Sequence, residues 1–141
     1  MAVEQSIVIN APIEKVWNII KDVNNWKSWN PVIKNSKYTV GDDLLINNKL
    51  EIKIKSGIKT FKYNPLIIES NSPYIVAWTG DCSGFHRRLT FILDNNKQTT
   101  VTIIEEILGM GTFIAKILLP ESSIKKTNKT FLESLKKEAE K

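Results

Sequence analysis

The chain is poor in the residues that carry covalent and metal chemistry. Cys82 is its only cysteine and His86 its only histidine among 141 residues. A single cysteine excludes an internal disulfide. One cysteine and one histidine fall short of the three or four protein ligands of a zinc site, so no metal is expected. No serine, histidine and acid constellation points to acyl transfer. Glycine is sparse, and its one tight cluster, Gly109-Met110-Gly111, lacks the following lysine of a P-loop. No cofactor is expected. No apolar run reaches the roughly 18 residues that span a membrane, so no stable membrane insertion is expected. The N-terminus lacks the basic segment and apolar stretch of a secretory signal. A cytoplasmic location is the expectation.

Apolar residues make up 42% of the chain and charged residues 25%, enough for one domain with a real core over residues 1–141. The net charge is +5 and the isoelectric point about 9.3. Such an excess suits anionic partners. The bases, however, are spread along the chain, with no run that aromatics interrupt. No nucleic-acid partner is therefore expected. Oligomeric state is not legible.

Residues 120–139 organise the rest. Pro120 suits a helix start, and Glu121 meets the positive end of the helix dipole. Ile124, Phe131 and Leu135 recur near helical spacing, with Thr127 and Asn128 on the same face. Lys125, Lys126, Lys129, Glu133, Lys136 and Lys137 form the opposite face. An apolar run at 113–119 leads in. One long helix after a mostly β chain needs a sheet to cover.

Upstream, residues 4–10 alternate as a strand. Pro12 opens a helix with Ile13, Val16, Trp17, Ile20 and Val23 on one face. Residues 22–30 form a second short helix or a set of turns. Its Trp26 and Trp29 read as a plug under the sheet, or alternatively Trp29 or Asn30 lines the mouth of a cavity. Strands follow at 34–40, 49–55, 61–70 (interrupted at Pro65), 74–80, 84–93 and 99–108. Gly57-Ile58 is a two-residue hairpin loop that pairs Ile54 with Phe61 and Ile52 with Tyr63. The second hairpin turns around residues 94–98. Facing Leu93 with Thr99 sets Phe91 against Val101, Leu89 against Ile103, Arg87 against Glu105 and Phe85 against Ile107. Arg87 and Glu105 then sit on an otherwise apolar face, where ionised groups should be paired. They read either as a buried bridge or as a polar handle, with Arg87 holding the carboxylate or phenolate of a ligand. If Glu106 rather than Glu105 points inward, that register fails. His86 faces outward.

Ile9-Asn10-Ala11-Pro12, Glu14-Lys15-Val16-Trp17, Asp22, Trp26 and Trp29-Asn30-Pro31 resemble the N-terminal signature of START-like domains. More narrowly, they resemble the polyketide cyclase/dehydrase and lipid-transport group of the SRPBCC superfamily. Trp78-Thr79-Gly80, Glu105-Glu106-Ile107 and the terminal helix fall where that family has similar features. The resemblance implies an α+β helix-grip fold. Two short helices follow strand 1, and a seven-stranded curved antiparallel sheet wraps the long C-terminal helix around a cavity. Members often carry a histidine where Arg87 stands and another where Ile103 stands, and this chain has neither.

The expected function is binding of a hydrophobic small molecule or lipid between sheet and helix. Arg87, Glu105, Trp78, Tyr63, Phe85, Leu89, Ile103 and Phe131 are the candidate ligand-binding residues. Tyr74, Trp29, Ile114, Leu118 and Ile124 are further pocket candidates. The alternative is a polyketide cyclase or aromatase-like enzyme using the same pocket, with acid or base from Glu105, Tyr63 or Arg87. A packed interior with a working lysine-rich exterior is the third reading. No catalytic residue is assigned.

Overall fold

The alternating strands join one curved antiparallel sheet in the computed structural model, which describes residues 1–82, 85–108 and 120–141. The elements run β1 (Ala2–Ile9), α1 (Ile13–Lys21), a 3-10 helix (Val23–Ser28), β2 (Ile33–Val40), β3 (Lys49–Ser56), β4 (Lys59–Tyr63), β5 (Leu66–Asn71), β6 (Ile75–Cys82), β7 (Phe85–Asn96), β8 (Gln98–Leu108) and α2 (Glu121–Ala139). The sheet order is β1-β8-β7-β6-β5-β3-β2, with β4 also on β3. Strands β4 and β5 are one strand broken at Asn64-Pro65. Counted so, the sheet has the seven strands expected of a helix-grip fold, with α2 as the grip. The expected apolar run at 113–119 and Gly109-Met110-Gly111 lie outside the described residues.

Local chemistry explains the elements. In α1, Ile13, Val16, Trp17 and Ile20 are buried at helical spacing, with Glu14 in the first turn and Lys21 in the last. The 3-10 helix buries Trp26, whose indole N–H donates to the Ile20 carbonyl at 2.9 Å. Its backbone and side chains also close the outer edge of β2. Ser36 Oγ donates to the Val23 carbonyl at 2.6 Å, and Asn24 Oδ1 accepts from the Tyr38 N–H at 2.9 Å. This partial cover hinders pairing with another chain at that edge.

The first hairpin has the expected register, Ile54 facing Phe61 and Ile52 facing Tyr63. Gly57 turns it at φ +65°, which suits glycine. The second hairpin differs by two residues. Leu93 faces Val101 rather than Thr99, Phe91 faces Ile103, Leu89 faces Glu105 and Arg87 faces Ile107. Lys97 takes φ 65° at the tip, so the strands continue to Asn96 and Gln98 in place of a wider loop. A two-residue shift keeps every side chain on its face, because the strand period is two. Arg87 and Glu105 are thus diagonal neighbours, not a directly opposed pair. Strand β6 begins at Ile75, one residue later than expected. Tyr74 lies in the preceding turn and is half exposed, so it is not a pocket residue.

Helix α2 buries Ile124, Thr127, Asn128, Phe131, Leu132, Leu135 and Ala139 against the sheet and α1. Its Phe131 ring packs edge-on against Trp26 at 5.2 Å and lies 5.6 Å from Phe91. Trp78 meets Trp26 at 6.1 Å and Phe91 at 5.5 Å. These aromatics form the centre of the core.

Candidate functional site between sheet and helix

Strands β3, β4, β6, β7 and β8 each send one residue class inward below α2. Seven of the eight expected site residues meet there. Trp78, Tyr63, Leu89, Ile103, Phe131, Arg87 and Glu105 all line one void of about 20 Å³. The side chain of Phe85 lies outside the described residues, as do Ile114 and Leu118. A second void of about 10 Å³ adjoins it, sharing Ile54, Arg87, Glu105 and Asn128, and adding Ser56, Ile124 and Thr127. Each void has room for about one water. Trp29 and Asn30 line neither void.

The polar groups form a compact cluster at the N-terminal half of α2. Arg87 Nη2 donates to Glu105 Oε2 at 2.7 Å, with side-chain exposures of 7% and 1%. Asn128 Nδ2 reaches Glu105 Oε1 at 3.5 Å. On its other side the Arg87 guanidinium lies 4.8 Å from the centre of the Tyr63 ring, a cation–π distance. Burial works to lower the Arg87 value, but the Glu105 carboxylate outweighs it and holds the guanidinium above its ordinary range. Burial raises the Tyr63 hydroxyl above its ordinary value, against the pull of the Arg87 cation. The Trp78 indole N–H lies close enough to Tyr63 to oppose that rise, yet it makes no hydrogen bond among the described residues. Glu106 points outward near Arg88, as the inward reading of Glu105 requires. His86 also points outward, with Nδ1 2.8 Å from Asp81 Oδ1.

The candidate set missed the apolar lining residues Trp26, Ile33, Ile52, Ile54 and Phe91, and three polar ones. Thr127 Oγ1 donates to Ser56 Oγ at 3.0 Å, and Asn128 holds Glu105. Their signal was present: Thr127 and Asn128 are polar residues on the apolar face of a helix. Ser56 continues the inward series Leu50, Ile52 and Ile54. Thr127 also lines a surface hollow of about 250 Å³ with Val32, Lys55, Gly57, Lys126 and Thr130. It is therefore a shared wall between the outside and the polar void.

Among the described residues, no helix is long and apolar enough to cross a membrane, and no three His, Cys, Asp or Glu side chains cluster for a metal. The family profile described as polyketide cyclase / dehydrase and lipid transport matches residues 1–140. No curated protein sequence matches the chain. Solved structures with the same fold include TTHA0849 from Thermus thermophilus. It has TM-score 0.80 and 12% identity, over 99% of this chain and 97% of that one. The Zhui aromatase/cyclase from Streptomyces sp. R1128 has TM-score 0.79 and 13% identity, over 99% and 93%. A START superfamily protein from Mycobacterium smegmatis has TM-score 0.76 and 13% identity, over 99% and 97%. At such identities the likeness shows the fold alone, whereas the profile match spans nearly the whole sequence: the chain belongs to the polyketide cyclase / dehydrase and lipid transport family.

Proposed function

We propose that this protein binds a hydrophobic small molecule or lipid between the sheet and α2, at the Arg87–Glu105 end of the helix. One observation carries the reading. Both inner voids, the buried ion pair and the shared wall at Thr127 coincide at that end. A purely structural core gains little from a buried ion pair, since well-packed apolar residues of the same size do as well. Binding sites, in contrast, combine apolar walls with a few placed polar groups. The voids hold about one water each, so a guest needs added room, which movement of the N-terminal half of α2 away from β3 would supply. The Ser56–Thr127 hydrogen bond would open first. Burial of the guest's apolar body would supply affinity at roughly 25 cal/mol per Å².

Native mass spectrometry after incubation with a whole-cell lipid and metabolite extract tests this. A discrete added mass should appear, leave on denaturation, and be absent from Leu89→Trp, whose larger side chain fills the void. A protein that stays unloaded in every extract would sink the reading. The family and the aromatase/cyclase fold neighbours support a second use of the same chamber, a cyclase-like reaction that positions a reactive chain beside Glu105. Its signature is a product mass absent from the extract and lost in Glu105→Gln.

A further inference from the structure

The charge inside the chamber is already spent. Among the described residues, Arg87 and Glu105 are the only charged ones lining either void, and they bond each other at 2.7 Å. Tyr63 covers the free side of the guanidinium, and Asn128 reaches the second oxygen of Glu105. A ligand carboxylate or phosphate would bring an uncompensated negative charge into this space. It could be neutralised only by pulling Arg87 from Glu105, which strands a buried carboxylate instead. Of the two readings of Arg87, the buried bridge therefore fits its geometry and the grip on an anionic ligand conflicts with it. One unspent polar group of the chamber is a donor, with the Tyr63 hydroxyl near it but not bonded to it. Trp78 Nε1 is buried, lines the larger void, and has no hydrogen-bond partner among the described residues. Asn30 Nδ2 is equally without a partner there but does not line the chamber.

Resting on the binding reading above, we infer that the ligand is uncharged and presents a neutral oxygen acceptor, such as a ketone, ester or ether, to Trp78 Nε1. The Arg87–Glu105 pair stays closed in the complex. It acts as a fixed dipole beside the bound oxygen and excludes acids by charge. Affinity comes from the apolar walls, and Trp78 sets which polar end is accepted.

Three size-matched probes separate the contributions: 2-acetylnaphthalene, 2-ethylnaphthalene and 2-naphthoate, titrated at neutral pH with the indole N–H resonances of the protein followed by NMR. The ketone should bind about three- to tenfold more tightly than the hydrocarbon, the worth of one net hydrogen bond. It should bind at least about a hundredfold more tightly than the naphthoate. The Trp78 indole N–H should move downfield with the ketone and not with the hydrocarbon. Trp78→Phe should bind ketone and hydrocarbon equally. Glu105→Gln, which keeps shape but leaves Arg87 unbalanced, should gain affinity for naphthoate. Naphthoate bound as well as the ketone by the wild type overturns the inference. So does a ketone preference that survives Trp78→Phe, or a Glu105→Gln variant with no gain for naphthoate. In those cases the hydrocarbon still binds and the binding reading stands. If none of the three binds, both fall together.

Discussion

The two halves of α2 are built on opposite principles. The C-terminal half buries Phe131, Leu132, Leu135 and Ala139 without a polar residue among them, and only Phe131, at its start, reaches the larger void. It is also tied down at its end: Lys136 Nζ donates to the Val8 carbonyl at 2.9 Å, and Glu140 accepts from the Asn10 N–H at 2.8 Å. Lys15 reaches the Lys141 carbonyl at 3.1 Å. The N-terminal half buries Thr127 and Asn128 beside Ile124, borders both voids, and meets β3 through the Ser56–Thr127 bond. A well-packed apolar contact and a polar seam with voids differ in how much opening costs. The fold can therefore yield at one place: one end of the helix is an anchor and the other is a door.

The largest test of the anchor is Phe131→Ala. It removes the ring that joins Trp26, Trp29 and Phe91, and should cost about 3–5 kcal/mol in denaturant unfolding. A cost under ~1 kcal/mol would break the comparison. At the door, Arg87→Met leaves Glu105 buried without its partner and should cost about 3 kcal/mol. Adding Glu105→Leu should recover most of that loss; a double variant as weak as the single would show that the pair itself stabilises the fold. Thr127→Val should cost only about 1 kcal/mol globally. Its sharper effect should be faster amide exchange in the first half of α2, with the second half unchanged. Equal protection along the whole helix, in wild type and variant, would remove the contrast.

The pH dependence is the smallest effect. Burial raises the hydroxyls of Tyr63 and, with help from Asp43, Asp22 and Asp42, Tyr38. The unfolded chain then loses these protons first, near the ordinary value of 10.0. Stability is complete below about pH 10 and falls as pH climbs toward the folded values. Tyr63→Phe should flatten the part of that fall belonging to the door, and Tyr38→Phe the part belonging to the β2 edge. An alkaline profile unchanged by either substitution would contradict the assignment.

Much of the fold was legible because its signals are local. The alternation of Leu50, Ile52 and Ile54, and Gly57 after them, specified the first hairpin to the residue. The second hairpin carried no such marker. Its tip uses Lys97 in a left-handed conformation, which no Asn-Gly or Gly-Gly pair announces. The inward faces were still right, because a shift of two residues preserves them. Tyr74 looked like the start of a strand by alternation alone, but the turn before β6 claims it. Thr127 and Asn128 were visible on the buried helix face, yet nothing along the chain says which strand residue a helix side chain meets.

Most elements, their buried faces and the family could be read along the chain, because periods of two and 3.6 and a signature around Trp17 and Trp26 are properties of neighbouring residues. Three-dimensional packing was needed to show that Arg87 is bonded to Glu105, that the space around the pair is two voids of about 10 and 20 Å³, and that Trp78 keeps an unpaired donor among the described residues. Those outcomes depend on where α2 comes to rest on the sheet. That position is a sum over packing contacts far apart in sequence, which no local pattern contains.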